Sequence, residues 1–81
     1  MRNVALLRKI RSGAKQNIRF PDFIRLVEAH GFVFAEQVGS HRGYKHSCGA
    51  VLNLQEKGGE AKPYQITQFL QIVDAYNLTM A

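Results

Sequence analysis

The sequence predicts an α+β domain in which helices cover one face of a three-stranded antiparallel sheet. Three observations carry this expectation. Two segments, opening at Phe20-Pro21-Asp22 and at Pro63, repeat apolar residues at helical spacing. Between them lie three short segments that are β-branched, aromatic or alternating, separated by Gly39-Ser40 and by Ser47-Cys48-Gly49. One apolar stripe per helix and one apolar sheet face are most simply buried as two layers.

The elements follow in order. Asn3 to Arg11 reads as a short helix with Val4, Leu7 and Ile10 at spacing three, ended by Ser12-Gly13. It is too short to stand alone, so it must dock or fray. "GAKQN" is a linker. In the next helix Pro21 suits the first helical position and Asp22 the positive helix end. Phe20, Phe23, Ile24 and Val27 share one face, and Gly31 is the stop. "FVFAEQV" (32–38), "HRGYKH" (41–46) and "AVLNLQ" (50–55) are strands whose short connections make a meander. "EKGGEAK" reads as a flexible connection without the spacing of a phosphate-binding loop. In the last helix Ile66, Phe69, Leu70, Val73 and Tyr76 form the apolar stripe, with Gln65, Gln68 and Gln71 facing away.

Composition narrows the function classes. Eighty-one residues build one modest core, with about 4,900 Å² left exposed after folding. No apolar run approaches the roughly 20 residues of a membrane span. The apolar stretch near the start, Val4 to Leu7, is too short for a secretory signal. Cys48 is alone, which fits a reducing, cytoplasmic setting. The net charge of +5 is uneven. Arg2, Arg8, Lys9, Arg11, Lys15 and Arg19 meet no acid before Pro21, whereas the remainder carries five bases and six acids. Such a cluster attracts phosphate, or else serves as a solubilising helix face.

The stretch "GSHRGYKH" (39–46) concentrates the candidate chemistry. Strand alternation puts His41, Gly43 and Lys45 on one face and Arg42, Tyr44 and His46 on the other. If Tyr44 packs inward beside Leu52 and Leu54, His41 and Lys45 face outward. His41 and His46 then lie on opposite faces, which disfavours a paired-histidine nuclease. Gly39 and Ser40 allow close backbone approach and offer amides to an anion. His41 is therefore either a proton-transfer group at a phosphate or an exposed strand histidine. His41, His46 and Cys48 lack zinc-like spacing, so no metal and no cofactor are expected. Cys48 has no well-placed base to make it a nucleophile.

Taken together, "RFPDF", Gly31, "GSH", "LNLQ" and "AKPYQ", in that order between Ile18 and Leu78, resemble the HicA toxin family, bacterial mRNA interferases of toxin–antitoxin pairs. The resemblance implies a fold like the double-stranded-RNA-binding domain, α-β-β-β-α, in residues 18–81. Residues 1–17 are left as a basic extension that adds RNA affinity or contacts the antitoxin. It also implies that His41 is catalytic in RNA cleavage and that a HicB-like antitoxin covers the site. Many relatives carry a second histidine where this chain has Arg42. Lys62, Tyr64 and Gln65 match the family motif, and a helix start docked on the sheet is the simplest role for Tyr64.

The chemistry agrees with that resemblance in outline. RNA supplies its own nucleophile, the 2′-hydroxyl, so a metal-free site needs a proton-transfer group and cations for the phosphorane. An imidazole such as that of His41 suits the base role near neutral pH. Lys45 is the first candidate to hold phosphate, with Arg42, Lys57 and Lys62 beside it and Gly39 and Ser40 lining the turn. Two other readings use the same residues. One is a non-catalytic RNA-binding module, since A-form RNA is read through shape, phosphates and 2′-hydroxyls. The other is a membrane-surface protein driven by the basic N-terminal helix.

Overall fold

The structure is a computed structural model that describes residues 2–81. Its order is α1 (Asn3–Arg11), α2 (Phe20–Ala29), β1 (Val33–Val38), β2 (His41–Lys45), β3 (Val51–Leu54), β4 (Glu56–Lys57), β5 (Glu60–Ala61) and α3 (Pro63–Ala75). Strands β1, β2 and β3 form an antiparallel sheet in that order. This is the predicted α+β arrangement, and the exposed surface of 4952 Å² is close to the area expected from chain length.

Local signals explain the helix limits. Pro21 and Pro63 open α2 and α3. At the end of α1 the Gly13 amide bonds to the Ile10 carbonyl and the Ala14 amide to Lys9, a Schellman closure that needs Gly13 at φ 99°. Gly31, at φ 95°, is doubly constrained, because a Cβ there would sit 2.8 Å from Nε2 of His46.

The core joins all three helices to one face of the sheet. Phe23, Leu26 and Val27 of α2, Ile66 and Phe69 of α3, and Tyr44, Leu52 and Leu54 of the sheet are buried together. Phe23 and Phe69 meet edge to face, with centroids 5.5 Å apart. Helix α1 docks through Leu6 and Ile10 rather than through the Val4–Leu7–Ile10 face read from the sequence; Val4 is exposed and Leu7 half-buried. The i, i+4 pair wins because both side chains lie on the same face of the helix as it meets α2. An Arg11–Asp74 ion pair at 2.9 Å ties α1 to α3 and holds the Asp74 carboxyl below its usual range.

Two further readings change. The "EKGGEAK" connection is an ordered ribbon: β4 and β5 pair around Gly58-Gly59, both at positive φ, the backbone of a type I′ turn. Residues 18–20 extend this ribbon, with the Phe20 amide on the Gly59 carbonyl and the Ala61 amide on Ile18. In α3, Gln65 does not face away. It is only 2 % exposed, whereas Tyr76, placed in the apolar stripe by its spacing, is exposed. Tyr76 stands at the helix C-cap, past Val73, the last buried residue of the helix.

Candidate functional site

The sheet shows its second face to solvent, and pairing decides what stands there. Tyr44 is fully buried opposite Leu52, so the neighbouring residues His41 and Lys45 face outward as alternation requires. Strand β1 contributes to the same face through an irregularity. Phe34 pairs with Tyr44 and Glu36 with Gly43, so Ala35 is an extra, bulged residue. The bulge turns Glu36 onto the outer face, where its side chain lies across Gly43; a Cβ at Gly43 would be 3.4 Å from the Glu36 Cγ. Glu36 escaped the sequence reading because simple alternation from Phe34 places it inward.

These residues line a concavity of about 560 Å³. On the sheet it is lined by the outward Glu36, His41, Lys45 and Asn53 and also by the inward Tyr44 and Leu52, and on α3 by Tyr64, Gln65 and Gln68, so it lies where the sheet meets α3. Tyr64 is 61 % exposed, so it is not docked on the sheet as the simplest sequence reading had it.

His41 is the first residue of β2, directly after the Gly39-Ser40 hairpin turn. Gly39 has φ 59° and Ser40 does not share it, the pattern of a type II′ turn, which favours glycine at the first central position. The turn is fastened to α3. Nε2 of Gln55 donates to the Ser40 hydroxyl at 2.7 Å, and Nζ of Lys62 donates to Oε1 of Gln55 at 2.6 Å. The backbone amide of Gln55 donates to Oε1 of buried Gln65 at 3.1 Å, and Nε2 of Gln65 to the Tyr64 hydroxyl at 3.3 Å. Motif residues far apart in sequence thus form one hydrogen-bonded chain.

The three histidines have different fates. His30 is buried, its Nδ1 donating to the Leu26 carbonyl and its ring edge-on to Phe69. Nδ1 of His46 accepts the Cys48 amide, so its Nε2 carries the proton and donates to the His30 carbonyl, both at 2.9 Å. His41 alone is exposed, and among the described residues its imidazole makes no hydrogen bond or ion pair.

The cationic candidates divide. Lys45 shares the concavity with His41. Arg42 lies on the inner face, its guanidinium 5.3 Å from the Phe34 ring centroid and 5.7 Å from that of Tyr44. The Arg42 guanidinium also approaches the Tyr44 hydroxyl, but without a well-formed bond: Nε of Arg42 and the Tyr44 oxygen are both buried and unpartnered. Lys57 stands on the β4–β5 ribbon, outside the concavity, and Lys62 is engaged with Gln55. No group of three His, Cys, Asp or Glu side chains able to hold a metal occurs among the described residues. No helix among them is long and apolar enough to cross a membrane.

Helices on one side of a three-stranded sheet, in the order α-β-β-β-α after an extra helix, make this a domain of the double-stranded-RNA-binding-domain type, with a hollow lined by the sheet and α3. Residues 20–74 match the family described as HicA toxin of bacterial toxin-antitoxin. The chain belongs to that family, which implies an antitoxin as partner. Comparison with curated proteins and with solved structures gave no significant match. The matched span includes the Gly39–His41 turn, the ribbon and most of α3, and leaves α1 outside.

Proposed function

We propose that the chain is the toxin of a HicA/HicB-type pair: a metal-independent endoribonuclease that cleaves mRNA in the cytoplasm, with a HicB-like antitoxin as its partner. The observation that carries the reading is the singularity of His41. It is the one histidine not committed to the fold, and it faces a concavity of suitable size together with a cation, Lys45. Lys45, at the far end of β2 and roughly 13 Å along the strand from His41, holds a neighbouring phosphate rather than the one being cut.

Cleavage by the 2′-hydroxyl needs two proton transfers. The 2′-oxygen loses a proton as it attacks phosphorus, and the 5′-oxygen gains one as its bond to phosphorus breaks. Glu36 supplies the second acid–base group. It is the diagonal neighbour of His41 across the β1–β2 pair, a separation long side chains span. An ionised carboxylate can only accept, so Glu36 takes the 2′-hydroxyl proton and His41, as imidazolium, gives one to the departing 5′-oxygen. The products are a 2′,3′-cyclic phosphate and a free 5′-hydroxyl. This divides the task that the sequence gave to His41 alone.

The test is cleavage of a defined single-stranded RNA in EDTA, by the intact chain and by His41→Ala, across about pH 5 to 8. Cleavage that persists in EDTA and disappears in His41→Ala with unchanged circular dichroism is the expected result. RNA binding by both proteins with cleavage by neither would make the domain a binding module instead.

A further inference from the structure

We infer that Tyr64 is a stacking platform for an unpaired nucleobase beside the phosphate handled by His41, so that the hollow takes a single-stranded nucleotide rather than a duplex. This deepens the endoribonuclease reading and rests on it for the position of the phosphate.

A tyrosine of an 81-residue domain is usually hydrophobic payload, and Tyr44 is used that way. Tyr64 instead is 61 % exposed and lines the hollow from α3 together with His41 and Lys45 of β2. The ring is not loose. Its hydroxyl accepts from Gln65, and Gln65 is itself buried and held by the Gln55 amide. A ring fixed before binding loses little conformational freedom when a base stacks on it. Gln55 also holds Ser40, the residue before His41, so one chain of hydrogen bonds sets the spacing between the stacking ring and the imidazole. The volume, about 560 Å³, lies within the range of small-molecule sites. Asn53 and Gln68 line the same space and carry both donors and acceptors for a base edge. A base can reach an aromatic face only when it is out of the helical stack, which is how unpaired RNA is ordinarily held.

The experiment measures binding of fluorescein-labelled single-stranded and duplex oligoribonucleotides of one sequence to His41→Ala protein, with and without Tyr64→Ala or Tyr64→Phe. The expected loss on single strands is about 5- to 150-fold for Tyr64→Ala, with Tyr64→Phe recovering to within about threefold because it keeps the ring. Duplex binding stays the same. Single-strand affinity unchanged in Tyr64→Ala, or an equal loss on single strands and duplex, overturns the inference. Cleavage by the His41-bearing protein is recorded in parallel. Cleavage without any Tyr64 effect leaves the nuclease and removes the platform; a Tyr64 effect without cleavage leaves a nucleobase site and removes the nuclease.

Discussion

The side-chain amide of Gln55 donates to the Ser40 hydroxyl across 2.7 Å, joining the residue after β3 to the turn that carries His41. Because Gln55 is also bonded to Lys62 and Gln65, the turn is fixed from the start of α3. Ser40→Ala removes this one neutral hydrogen bond, of about 0.5–1.5 kcal/mol, from the support of the site, without touching the Lys62 bond that Gln55 also holds. The expected result is a fall in kcat of about 2- to 12-fold with KM little changed. Steady-state cleavage kinetics check this, and a loss confined to KM would assign Ser40 to RNA binding instead.

His41 and His46 should behave as opposites. His41→Ala keeps the melting temperature and loses about 10²- to 10⁴-fold in cleavage rate, the usual contribution of one acid or base. His46→Ala leaves the His30 carbonyl and the Cys48 amide without their partner. It should cost about 1–3 kcal/mol of stability in urea melts while cleavage per folded molecule persists.

If Glu36 and His41 divide the proton transfers, losing either should slow the chemical step rather than weaken RNA binding. Glu36→Gln should lower kcat by about 10²- to 10⁴-fold with RNA affinity little changed. An unchanged kcat in single-turnover cleavage would exclude Glu36 from the reaction.

Burial pushes the Tyr44 hydroxyl above its ordinary value of 10.0, and the Arg42 guanidinium pulls partly against that. The folded state therefore favours the neutral phenol. This contribution is fully present below the unfolded value and is lost as pH rises through the folded one. Tyr44→Phe should flatten the alkaline loss of stability above about pH 10. Near neutral pH it should change stability by no more than about 1 kcal/mol, since the buried hydroxyl has no good partner to lose. Thermal melts of both proteins over that range are the check.

Much of this was legible in the sequence because single residues settled it. Pro21 and Pro63 opened their helices, Gly13 and Gly31 closed theirs, and the parity of Tyr44 turned His41 and Lys45 to the open face. What was not legible depended on residues far apart in the chain. The Ala35 bulge has no local marker, so Glu36 was missed. Gln65 looks like a surface residue until β3 supplies an amide for it. The ribbon was the avoidable miss, because Gly58-Gly59 between two residue pairs is a recognised hairpin signal.

The same bulge acts beyond the site. Strand β1 is an edge of the sheet, with Val33, Phe34 and Val38 exposed along it. A flat apolar edge of this kind is a template on which further chains add and grow into fibres. Ala35 breaks the regular ladder and Glu36 sets a charge in its middle, so a second copy cannot lie in register along the whole strand. The irregularity that turns a carboxylate to the outer face also guards the sheet edge against pairing with further copies of the chain.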